Sequence, residues 1–162
     1  MHTPIRSLAF ALTLALVSAC GGTTPDGQLK VAEGHLTAGT FDQAATAAAE
    51  GLTANPSDAA IRWRLEFTLL EAQARGGDVA AATATLERLA ALEGTQIKGT
   101  HYVSTADQLK GGGQATGAVE LLDKGLKRFP DDADIAQAIE RTKASGGMDE
   151  LEALKSLGYL GE

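Results

Sequence analysis

Residues 39–56 read GTFDQAATAAAEGLTANP, and residues 113–130 read GQATGAVELLDKGLKRFP. Laid over each other without gaps, they agree at five of eighteen positions: Gly39/Gly113, Ala44/Ala118, Gly51/Gly125, Leu52/Leu126 and Pro56/Pro130. A chain that keeps small residues and a terminal proline while changing almost everything else is preserving a backbone approach rather than a surface. A third stretch, GDVAAATATLERLAALEG at 77–94, carries glycine at the first place, Ala82 at the sixth and Leu89-Ala90 at the Gly-Leu places. The anchor alanines 44, 82 and 118 lie 38 and 36 residues apart, a period that points to a solenoid of stacked helical units.

Each repeated place has a physical reason. Gly39, Gly77 and Gly113 follow amphipathic runs, where a helix ending in a left-handed residue takes glycine without strain. Ala44, Ala82 and Ala118 fall where a second helix crosses the first, and a small side chain there permits a short interaxial distance. Gly51 and Gly125 repeat that role two turns later. Pro56 and Pro130 stop the second helix, and Ser57-Asp58 and Asp131-Asp132 offer N-caps to the next one.

Composition agrees with helices. Alanine is abundant, hydrophobic residues make up 44% and aromatics only 4%, which disfavours a β-sandwich. A net charge of −7 argues against a nucleic-acid partner. At the start, Leu8 to Val17 is an apolar run of ten residues, too short for a permanent bilayer span but suited to a secretory signal. It closes on Val17, Ser18, Ala19 and Cys20, the single cysteine of the chain.

Two family resemblances follow from these residues. The Val17-Ser18-Ala19-Cys20 run resembles the lipobox of bacterial lipoproteins. It implies a signal peptide over 1–19, a Cys20 that is lipidated on sulfur and acylated as the mature N-terminus, and a tether over 20–26. Removing 1–19 takes away Arg6 and no acid, leaving a mature charge of −8. Gly21 in place of Asp implies the outer membrane, facing the periplasm, if the source is Gram-negative. The repeated stretches resemble the tetratricopeptide repeat, a helix–turn–helix unit of about 34 residues. Its small mid-helix residue is matched by Ala32 and Ala106, its turn by Gly39 with Phe41 and Gly77 with Val79, then the crossing alanine and closing proline. The copies run 25–58, 59–98 and 99–132. Ala115 replaces the turn aromatic in the third. The second departs most, with a first helix one turn too long, Gly94 where proline is expected, and Trp63 out of the usual tryptophan register.

The tetratricopeptide resemblance implies an all-α fold: a short right-handed α–α superhelix of about three repeats over 27–145. Residues 133–144 would be its C-terminal capping helix, and 146–162 an amphipathic tail that packs back or docks on a partner. It also implies a partner groove lined by the first helix of each repeat. Position by position, this gives Glu33, Leu36 and Thr37, then Arg64, Phe67, Glu71 and Arg75, then Val103, Asp107 and Lys110. The closing LKSLGYLG is similar to the tails of many secreted bacterial sulfatases and envelope repeat proteins.

No catalytic set emerges. His35 and His101 fall in different repeats without a nucleophile beside them, and no His/Cys/carboxylate spacing suits zinc. The GGG at 111–113 lacks the Lys-Ser/Thr of a phosphate loop. The expectation is a non-enzymatic envelope scaffold without cofactor, metal or small-molecule substrate, holding a protein or peptide partner and the bilayer through Cys20. The alternatives are an accessory subunit of an envelope hydrolase, suggested by the tail, and a secretin or pilus-assembly lipoprotein.

Overall fold

A computed structural model of the chain describes residues 24–92 and 94–161. The expected signal peptide and Cys20 lie outside the described residues. Those residues form eight helices and no strand: α1 (Pro25–Ala38), α2 (Phe41–Thr53), α3 (Ala59–Arg75), α4 (Val79–Ala90), α5 (Gly99–Gly111), α6 (Ala115–Arg128), α7 (Ala133–Ser145) and α8 (Met148–Ser156). The fold is all-α.

The turn glycines behave alike. Gly39, Gly77 and Gly113 have φ of +74°, +81° and +83°, a region in which a side chain is strained. Around each, the next residue's N–H returns to a carbonyl five residues back: Thr40 to His35, Asp78 to Gln73 and Gln114 to Leu109, all at 2.9 Å. This double-back bond satisfies the last carbonyls of α1, α3 and α5 and sends the chain antiparallel into α2, α4 and α6. At the other edge, the Asp58 carboxylate accepts from the N–H groups of Ala60 and Ile61 at 2.7 and 3.3 Å. Asp132 does the same for Asp134 and Ile135 at 3.0 and 3.1 Å. Replacing Asp132 with alanine should cost about 1 kcal/mol in urea unfolding, and Asp131→Ala close to nothing.

The repeat is kept at a spacing of 74 residues. Helices beginning at 25, 41 and 59 recur at 99, 115 and 133. α1, α3, α5 and α7 lie side by side, each touching the next, and α2 and α6 back them. Ala44 and Ala82 are fully buried and Ala118 nearly so, where the second helices cross the first. A methyl group at Gly51 would sit 2.7 Å from Leu65 Cδ2 and 3.1 Å from Gln28 Cβ, while one at Gly125 would sit 2.8 Å from Tyr102 Cγ. These small residues set helix contact distance.

The middle unit departs where its sequence does. α3 has 17 residues against 14 for α1 and 13 for α5. The connection over 91–98 is longer than those over 54–58 and 129–132, and α4 meets α5 far less than α2 meets α3. The connection is held by Thr95 Oγ1 donating to Leu89 O at 2.8 Å, by the buried Ile97, and by Arg128, whose guanidinium donates to Ala90 O.

At the ends, one expected bound is corrected and one alternative is decided. The tether cannot run to residue 26, because Pro25 and Asp26 are the first turn of α1, with Thr24 as N-cap accepting from Gly27 N–H at 3.2 Å. Proline is favoured at that place, since the missing N–H would be unsatisfied anyway. The tail packs. Ala153 and Leu154 of α8 are buried against the main core, and the Tyr159 hydroxyl donates to Asp123 Oδ1 at 3.0 Å.

Candidate functional site

The ten groove residues expected from sequence divide into engaged and open ones. Glu33 and Arg64 pair across α1 and α3 at 2.5 Å. Leu36 is buried with Ala44 and Ala72, so it joins α1 to α2 and α3 instead of lining an open surface; its two alanine neighbours leave room for it. Thr37 is exposed, its hydroxyl donating to Glu33 O at 2.9 Å. Phe67 lies between Trp63 and His101, with ring centroids 5.8 and 5.5 Å away. Glu71 pairs with Arg75 at 3.0 Å, and the Arg75 guanidinium lies 4.8 Å from the Phe41 ring centroid, which turns it toward α2. Lys110 is held by Glu150 of α8 at 2.7 Å.

Beyond Thr37, the open ones are Val103 and Asp107. They line a cleft of about 510 Å³ between α5 and α7, with Ser104 from α5 and Asp134, Gln137 and Arg141 from α7. A narrower stretch of about 210 Å³ continues past Asp107 and Arg141 to Ala138, Lys110 and Glu150. The 74-residue spacing explains the opening. Asp107 corresponds to Glu33, but the counterpart of Arg64 is Ala138, so no guanidinium crosses to the acid. Trp63 and Phe67, which pack on the α4 and α5 side of α3, correspond to the polar Gln137 and Arg141. Asp107 has no ion-pair partner among the described residues.

No family model, curated protein or solved structure matches this chain. Among the described residues no group of His, Cys and carboxylates is placed to hold a metal ion, and no helix is long and apolar enough to cross a membrane. Both histidines of 24–161 serve helix ends. His35 Nδ1 lies 2.8 Å from Thr40 Oγ1, and His101 Nδ1 accepts from Lys98 N–H at 3.1 Å.

The α7 contribution is absent from the sequence expectation, in which 133–144 is a cap. Comparing 59–75 with residues 74 further on would have exposed it, because large aromatics are replaced by polar side chains there. The Lys110–Glu150 pair is absent as well, since it depends on where α8 comes to rest. Glu150 is nearly buried; burial alone would raise its carboxyl. The Lys110 hydrogen bond, the Gly147 N–H donating at 2.7 Å and the Lys110 charge outweigh this and hold it below the ordinary 4.5.

A depressed folded pKa stabilises above the unfolded value, and that contribution is lost as pH falls through the folded value. Wild type should therefore exceed Glu150→Gln in melting temperature at pH 7, and the gap should close as pH falls below 4.5. A gap unchanged by acid would contradict this account of the pair.

Proposed function

We propose that the chain is a lipid-anchored, non-enzymatic scaffold of the tetratricopeptide type, binding a protein or peptide partner on the face formed by α1, α3, α5 and α7. The observation that carries this reading is the α5–α7 cleft, open where the Glu33–Arg64 pair crosses its counterpart between α1 and α3. It offers Val103 as an apolar floor and the acids Asp107 and Asp134 beside Arg141. A partner segment that lowers an apolar side chain onto Val103 and turns a basic group to Asp107 fits it. Apolar anchors supply affinity in such grooves and charges fix orientation. The repeated left-handed glycines and buried crossing alanines support the tetratricopeptide superhelix.

The Val17-Ser18-Ala19-Cys20 run supports acylation at Cys20 and residence in the cell envelope, at the periplasmic side of the outer membrane in a Gram-negative source. More than one acyl chain makes the anchoring firm, at about 0.8 kcal/mol for each buried methylene. The tail suggested a hydrolase partner, but Leu154 and Tyr159 are engaged with the chain's own core, so the first-helix face is the preferred surface.

Asp107→Lys and, as a control, Glu120→Lys on the exposed face of α6 test the reading in pull-downs from detergent-solubilised membranes. The partner should be lost with Asp107→Lys and retained with Glu120→Lys. Equal recovery by all three proteins would remove the cleft from the account.

A further inference from the structure

The irregular middle unit brings three features to one edge of the molecule. Gly51 meets both Gln28 and Leu65, so the first turns of α1, the end of α2 and the start of α3 lie together. The Arg62 guanidinium ties that corner by donating to Asn55 Oδ1 at 2.9 Å and Pro56 O at 3.0 Å. Because Phe67, ninth in α3, stacks on His101, third in α5, the start of α3 projects roughly 9 Å beyond α5 at 1.5 Å per residue. The end of α4 runs beside this overhang. Between them is an open slot of about 460 Å³ lined by Ala59, Arg62, Trp63, Glu66, Leu89 and Leu92.

Leu92 is 46% exposed, one of three large apolar side chains so exposed among the described residues. Trp63 is half-buried beside it. Glu66 is held by Arg88 through two bonds, at 2.9 and 2.5 Å, so the acid in the slot wall is already neutralised. The same edge carries Thr24, the N-cap of α1. Four residue steps separate Thr24 from Cys20, and an extended chain of that length spans at most roughly 14 Å.

We infer that this edge rests on the bilayer that holds the Cys20 acyl chains, with Leu92 and Trp63 in its interfacial layer. The inference rests on the lipidation proposed above. A tether this short keeps the α1 start within roughly 14 Å of the acylated residue, and the apolar side chains at that edge then reach the boundary where tryptophan and leucine partition favourably. α7 runs parallel to α5, so its end and the start of α8 lie at the opposite edge. Met148, 87% exposed, faces the aqueous phase there. The overlong α3 and the long 91–98 connection thereby gain a role as a membrane-resting foot.

The test uses the acylated full-length mature protein in phosphatidylcholine vesicles, with a thiol-reactive fluorophore on Leu92→Cys or Met148→Cys. Acylation blocks the Cys20 sulfur, so each protein carries one label. Nitroxide-labelled phosphatidylcholine should quench the label at 92 and leave that at 148 unchanged, while aqueous iodide should do the reverse. Flotation with the vesicles but equal quenching at both positions would overturn the orientation and leave the anchor standing. Failure to float would overturn the anchor and the orientation with it.

Discussion

Gly125→Leu is expected to cost about 3 kcal/mol, although glycine is by itself a poor helix residue that leucine would improve on by nearly 1 kcal/mol. The added Cβ alone would meet the Tyr102 ring at 2.8 Å, and Tyr102 is 1% exposed, packed edge-on against Phe129 with centroids 5.9 Å apart. The ring has no space into which to move. Tyr102→Ala should cost about 3–5 kcal/mol by leaving a cavity. If size complementarity between α5 and α6 is the cause, the double variant should lose much less than the sum of the two single losses, because the new leucine occupies the vacated space. Chemical denaturation of the four proteins gives the coupling directly. Strict additivity would mean that the repeated glycine answers to something other than the contact with Tyr102.

Leu65→Ala is the second large effect, expected at about 2–5 kcal/mol. Leu65 is fully buried and joins α3 to a small cluster of Leu29, Ala32, Ala47 and Ala48. That cluster is separate from the larger core, which runs from α3 to α8. Alanines cannot close around the missing isobutyl group. The loss should fall on the first unit: amide exchange in α1 and α2 should become fast, while α5 and α6 stay protected. Uniform loss of protection over all eight helices would show that the two clusters unfold together.

What could be read from sequence follows from how local its cause is. Gly39, Gly77 and Gly113 were legible because a left-handed helix end leaves few alternatives, and Asp58 and Asp132 because an N-cap acts within three residues. Ala44, Ala82 and Ala118 were legible as contacts because the chain repeats them. The groove was only partly legible. Position in the repeat places Leu36 in the groove, but Ala44 and Ala72 beside it leave a pocket that draws it inward. The same rule places Arg75 there, and the Phe41 ring turns it away. Lys110 meets Glu150 from 40 residues downstream, a pairing that no local pattern encodes. The cleft at Val103 and Asp107 exists because Ala138 stands where the neighbouring unit has Arg64. That information lies in the difference between copies, not in their likeness.

The most direct test of the scaffold reading is site-specific photo-crosslinking in the living cell, with a photoreactive amino acid at Val103 in the cleft or at Glu120 on the outer face of α6. Binding on the first-helix face predicts one defined crosslinked partner from position 103, lost when Asp107→Lys is added, and none from position 120. Crosslinks of equal yield from both positions, or a product at 103 indifferent to Asp107→Lys, would contradict it.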